Sequence, residues 1–183
     1  MRGRARIAAS AALILALPAC SADTGQPLRG VLTTPTDIDL HWRDAGNEVA
    51  GHVLEFATEA GGPYTVLQYL APHVTHYRHP DLMPHTTFHY RLRSYRGPTV
   101  RPARADRPDG IRFTWTDRSS DEDGFLLEMR TADSTGYEPV AVAGPDITAT
   151  TLVTLPGEKR ASFRIRAFVL GEHSNVVRLT TGE

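Results

Sequence analysis

Seven of the eight histidines of this 183-residue chain lie between residues 41 and 89: His41, His52, His73, His76, His79, His85 and His89. Imidazoles are donors that zinc and copper favour, so the spacing His73-x-x-His76-x-x-His79 raises the question of a metal centre. Two further groups carry charge at close spacing. Arg91 and Arg93, with Arg164 and Arg166, could form a basic stripe for an acidic polymer, while Asp117, Asp121, Glu122 and Asp123 gather carboxylates in one short run. That run lacks the ligand spacing and closing glutamate of a helix-flanked calcium loop and reads as a solvated turn ending at Gly124. Catalysis has no sequence signature here: there is no nucleophile elbow, phosphate-cradling glycine loop or zinc-protease helix motif, and nothing calls for a cofactor. Whether the histidines and arginines meet depends on the elements that carry them.

Those elements repeat. Ile38, Trp42, Asp44, Gly51, Glu55, Tyr64, Leu82, Arg91 and Arg93 recur at a fixed offset of 73 residues as Ile111, Trp115, Asp117, Gly124, Glu128, Tyr137, Leu155, Arg164 and Arg166. Solenoid units span about 20 to 50 residues, so this longer period implies two copies of a domain, each burying its own core as one bead of a pair. Ile38-Asp-Leu40-His-Trp42 and Ile111-Arg-Phe113-Thr-Trp115 alternate apolar with polar residues, the pattern of a half-buried strand. A second strand begins at Gly51 or Gly124, with His52, Leu54 and Phe56 inward in one copy and Phe125, Leu127 and Met129 in the other. Phe88-His-Tyr90-Arg-Leu92-Arg-Ser94 and Ala161-Ser-Phe163-Arg-Ile165-Arg-Ala167 alternate in the same way. No sustained 3.6-residue apolar period follows the N-terminal segment, and the fold class is all-β.

Strand parity weighs against a metal centre. His76 is expected to face outward on one sheet and His89 outward on the other. Sheets stack about 10 Å apart, too far for both imidazoles to reach one ion at about 2.0–2.1 Å, so scattered surface histidines and no metal are expected. Glu55 and Glu128 fall on the expected solvent face of the strand beside the arginines. Cross-strand ion pairs of roughly 0.2–1 kcal/mol then account for the basic stripe without a ligand.

The order of a strand ending in Trp42, a strand carrying Leu54-Glu55, the segment Leu82-Met83-Pro84-His85-Thr86-Thr87-Phe88 and the run Tyr90-Arg91-Leu92-Arg93 resembles the fibronectin type III domain. The second copy is similar, through Trp115-Thr-Asp117, Asp121 to Glu128 and the terminal Ser174 to Thr181. This resemblance implies two tandem immunoglobulin-like (fibronectin type III-like) β-sandwiches, each with strands A to G in two antiparallel sheets. Where the family places a corner tyrosine this chain has Phe88 and Ala161, which implies looser corners. Only residues 97–110 separate strand F of the first copy from strand B of the second. At about 3.3 Å per strand residue that stretch is too short for a loop, a full strand G, a linker and a full strand A. Pro98, Pro102 and Pro108 limit it further, since proline is confined to sheet edges, bulges and turns. The expectation is a short, stiff junction with strand A of the second domain truncated or absent.

At the N-terminus, Arg2, Arg4 and Arg6 precede an acid-free apolar run from Ile7 to Ala19, the pattern of an export signal too short to span a membrane. Leu17-Pro18-Ala19-Cys20 resembles the lipobox of bacterial lipoproteins, which implies diacylglycerol on the Cys20 thiol. Cys20 is the single cysteine of the chain and has no intramolecular disulfide partner. The expected division is 1–19 signal peptide, 20–27 lipidated tether, 28–104 first domain and 105–183 second domain. Removing three signal arginines takes the net charge from −1 to −4, which argues against nucleic acid as a partner.

The sequence reading is a non-enzymatic lipoprotein, exported and anchored through lipid at Cys20 to the bacterial cell membrane, facing outward. Its modules would bind a protein or a cell-wall glycan or act as a spacer. Two alternatives are strand addition at a sheet edge near Thr99 to Asp106, and an accessory role beside a secreted polysaccharide hydrolase with Tyr69, Tyr95 or Phe168 stacking on sugars. The binding residues, the ligand and the oligomeric state are not encoded in any motif.

Overall fold

A computed structural model describes residues 27–183 except 45, 156 and 157. Cys20, the signal segment and nearly all of the tether lie outside the described residues. In the first half, β1 (Arg29–Thr34), β2 (Asp37–His41) and β5 (His76–His79) form one antiparallel sheet in the order β1-β2-β5. Opposite it, β3 (Gly51–Ala57) lies between β4 (Thr65–Leu70) and β6 (Thr87–Arg96). The second half repeats this plan. β8 (Ala103–Arg107), β9 (Gly110–Thr114) and β12 (Ala149–Val153) form one sheet, and β10 (Gly124–Arg130) lies between β11 (Glu138–Ala143) and β13 (Ser162–His173) in the other. Helix is confined, among the described residues, to the 3-10 turns Gly46–Glu48 and Glu158–Arg160.

The expected alternation builds the cores. Ile38, Leu40, Trp42, Leu54, Phe88, Tyr90 and Leu92 fill the first sandwich, and Ile111, Phe113, Trp115, Phe125, Leu127 and Ile165 fill the second. Phe88, standing where the family has its corner tyrosine, is buried and stacks on Tyr90. His52 is fully buried against Trp42, and neither ring nitrogen has a hydrogen-bond partner among the described residues.

Two short strands overturn the expected chain path. β7 (Thr99–Val100) follows β6 directly, yet it pairs with β13 of the second sandwich: Thr99 with Arg166 and Val100 with Ile165. β14 (Val177–Thr180), expected to close the second domain, instead pairs with β6 of the first, from Val177 opposite Tyr90 to Thr180 opposite Thr87. Each half therefore takes its G-position strand from the chain that leaves the other half. Between these segments β6 and β13 pair with each other, Arg96 against Val169 and Tyr95 against Leu170. Arg96 and Val169 are repeat equivalents, so the ladder passes through a pseudo-twofold axis at that pair.

This crossing resolves the shortage at the junction. Strand A of the second domain is neither truncated nor absent: it is β8, paired along its length with β9. The strand cut short is G, because residues 99–100 fill only part of that position before Pro102 intervenes. A boundary at 104/105 also fails to separate the sandwiches, since residues 177–180 complete the first. Nor is the pair beaded. The first and last segments of the described residues meet in the first half, where the Asn175 side chain accepts from the Leu28 amide at 2.8 Å and donates to its carbonyl at 2.9 Å.

Gly97 permits the crossing. Its φ of +144° suits glycine, and a Cβ there would stand 1.8 Å from the Ala167 carbonyl oxygen.

Burial holds the His52 imidazole below its ordinary range, so folding disfavours its protonated form. The unfolded ring gains a proton near pH ~6.5, and lowering the pH through that value favours unfolding. His52→Phe, which copies Phe125 of the second sandwich, should raise stability by about 1 kcal/mol at pH 7 and more at pH 5. Denaturant unfolding at the two pH values measures this; an equal or smaller effect at pH 5 contradicts it.

Candidate functional site

The faces of β3, β6, β10 and β13 that look away from the two cores meet each other. Val53 and Leu126 are repeat equivalents, as are Tyr95 and Phe168, and these four form a third buried cluster with Tyr69, Ala50 and Leu170 packed against it. Tyr69 meets Phe168 edge-on at 5.6 Å and Tyr95 at 6.3 Å, and Tyr95 meets Phe168 at 6.0 Å. The Tyr95 hydroxyl donates to the Leu70 carbonyl at 3.2 Å. These aromatics hold the two halves together. The expected sugar-stacking platform is overturned for Tyr95 and Phe168, which are 0% and 2% exposed.

The repeated arginines and glutamates border this cluster. Arg91 donates to Glu55 at 2.7 Å and lies over the Tyr64 ring at 3.8 Å; Arg164 donates to Glu128 and lies over Tyr137 at 4.1 Å. The second arginine of each pair reaches the crossing chain. Arg93 donates to the Gly171 carbonyl at 3.0 Å, and Arg166 donates to the Gly97 carbonyl at 2.6 Å while also binding Glu128 at 2.8 Å. The ion pairing inferred from alternation is thus present, but the solvent face assigned to it is corrected: Glu55 is 7% and Glu128 1% exposed, because the opposed sheet covers them. Asp123 of the acidic run acts similarly, accepting from the Leu170 amide at 2.7 Å. These groups read as clamps on the crossing.

Beyond the shared aromatic cluster an apolar groove of about 420 Å³ lies between the outer strands β4 and β11. Val66 and Tyr69 line one wall, Pro139 and Val142 the other, and Leu126 the floor. Val66 and Val142 are about half exposed at its mouth. Next to Pro139, Glu138 lies 3.4 Å from His73 of the other half. Among the described residues no acid, base and nucleophile converge there, and the groove offers apolar contact and unpaired strand edges. Thr99 and Val100 are already paired with β13, and β8 with β9, so the vacant edge expected from Thr99 to Asp106 is filled on its inner side by this chain itself.

The sheet orders β1-β2-β5 and β4-β3-β6-β14, with their counterparts β8-β9-β12 and β11-β10-β13-β7, decide the fold. Each half is a fibronectin type III-like sandwich. No family model matches the chain, and no curated protein matches it. Similar solved structures include the FN1–FN3 domains of chicken CNTN1, at 15% identity over 88% of this chain and 68% of that one, with a TM-score of 0.34. A two-domain fibronectin type III segment of chicken tenascin is 16% identical over 86% of this chain and all of that one, also with a TM-score of 0.34.

Neither the shared cluster nor the groove was anticipated, although a signal existed. β3 reads His52-Val53-Leu54 and β10 reads Phe125-Leu126-Leu127, apolar or buried on both faces, as strands covered on both sides must be. Removing one member of a buried ion pair leaves the others unpaired and costs about 3–5 kcal/mol. Glu128→Ala, which strands Arg164 and Arg166, should therefore destabilise the protein by about 3 kcal/mol, whereas exposed Glu59→Ala should stay within about 0.5 kcal/mol. Comparable losses for both in urea unfolding would contradict the clamp.

Proposed function

We propose that this protein is a non-enzymatic surface lipoprotein, anchored outside a bacterial membrane through lipid on Cys20, whose double sandwich is a rigid docking platform for a protein partner. The observation that carries the docking role is the groove between β4 and β11, where apolar side chains from both halves stay open to solvent. Among the described residues both flanking strands are sheet edges with one unpaired side, suited to an extended segment of another protein. Clamped crossing strands fix the two walls relative to each other, so little ordering cost falls on binding. The export-type leader, the lipobox-like residues and the lone cysteine support the anchoring part of the reading. A glycan-binding role loses support from the burial of Tyr95 and Phe168.

The test is cross-linking mass spectrometry on intact cells expressing the full chain. One recurrent protein partner should map to residues 65–70 and 138–143 and be lost in Val66→Asp/Val142→Asp. A Cys20→Ala chain should lose lipid labelling and leave the membrane or accumulate unprocessed. Cross-links indifferent to the groove substitutions would contradict docking there, and unchanged lipid labelling of Cys20→Ala would contradict the anchor.

A further inference from the structure

The first sandwich carries a cluster that the parity argument over His76 and His89 did not reach. Asp39 and His41 stand two residues apart on β2 and so share a face, and His76 on β5 lies directly opposite His41 in the antiparallel ladder. The two imidazole rings are 4.8 Å apart and tilted by 35°. His76 Nε2 is 3.6 Å from Asp39 Oδ2, and one donor atom from each of the three residues lies within 4.8 Å of the others. From this geometry we propose that Asp39, His41 and His76 form a binding site for a divalent transition-metal ion of the zinc class.

The donor set is two imidazoles and one carboxylate, the chemistry zinc takes at about 2.0–2.2 Å, with water completing the shell. Ligands around a tetrahedral zinc stand about 3.3 Å apart, so the donors, within 4.8 Å of one another here, must close by up to about 1.5 Å. His41 and His76 are exposed and have room for that rotation. Asp39 is partly buried, and its Oδ1 is shielded from solvent with no hydrogen-bond partner among the described residues, so its lone pairs accept no proton there. Of the cations near this cluster, Arg78 lies opposite Asp39 but binds Asp37, while Arg29, opposite His41 on the β1 side, and Arg43 line a small pocket with His41. Asp39 thus supplies the negative charge that a dication needs beside Arg29.

The fold does not require these residues. In the second sandwich the equivalent positions are Arg112, Thr114 and Ala149, and Ala149 pairs with Thr114 as His76 pairs with His41. The same strands form there without a donor. A bound ion would tie β2 to β5 on the face turned away from the interdomain cluster, taking up metal independently of the groove.

The experiment is zinc titration by calorimetry and imidazole NMR, on the full chain carrying Cys20→Ser and no histidine tag. The expected result is binding at a single site, with resonances of His41 and His76 shifting together and the Tm rising with free zinc. His41→Thr and His76→Ala, the residues of the second sandwich, should each weaken binding by about tenfold or more while leaving the zinc-free Tm unchanged. Asp39→Asn should weaken it as well, covering the case in which either histidine variant folds poorly. Absence of binding, or binding unchanged in these variants and assignable to other histidines, would overturn the proposal.

Discussion

The antiparallel ladder between β6 and β13 governs this molecule. Once Arg96 faces Val169 and Tyr95 faces Leu170, neither strand can turn back to form its own F–G hairpin, because the space beside it is occupied. Each chain continues ahead into the other sandwich, as β7 and as β14. The buried glutamates, Arg93, Arg166 and Gly97 then follow as parts that make the crossing sterically and electrostatically tolerable. Arg166 illustrates the economy: one guanidinium neutralises Glu128 and also satisfies the Gly97 carbonyl at the point where the chain passes over.

Crossing changes what the repeat means physically. Beaded modules meet over small polar contacts and pivot about their linker. Here the repeat equivalents Val53 and Leu126, and Tyr95 and Phe168, pack across a pseudo-twofold axis as they would in a symmetric dimer, and the covalent chain passes through that interface twice. Opening it would expose the third cluster and unpair both G-position strands together. The groove between β4 and β11 is therefore lined by elements of both halves that the crossing ties together.

How much of this was legible follows from which interactions are local. The 73-residue repeat, the core alternation around Trp42 and Trp115, and the Glu55/Arg91 and Glu128/Arg164 pairs are visible because strand periodicity determines them. Residues 174–181 read as strand G equally well beside either F strand, since a four-residue strand carries no information about its neighbour. The legible trace of the crossing was the shortage of residues between β6 and β9, which located the anomaly at strand A when the affected strand was G. Asp39 and His41 alternate plainly, but their meeting with His76 depends on a β2–β5 register that no local pattern supplies.

The most direct measurement is disulfide trapping of β14, in a chain carrying Cys20→Ser. Thr87 and Thr180 are register partners with hydroxyls 2.9 Å apart, and Arg160 is the repeat equivalent of Thr87 in the second half. With crossed strands, Thr87→Cys/Thr180→Cys should oxidise readily to an intramolecular disulfide, found by peptide mapping, while Arg160→Cys/Thr180→Cys should stay reduced. The opposite pattern would place residues 177–180 beside their own sandwich and contradict the crossing.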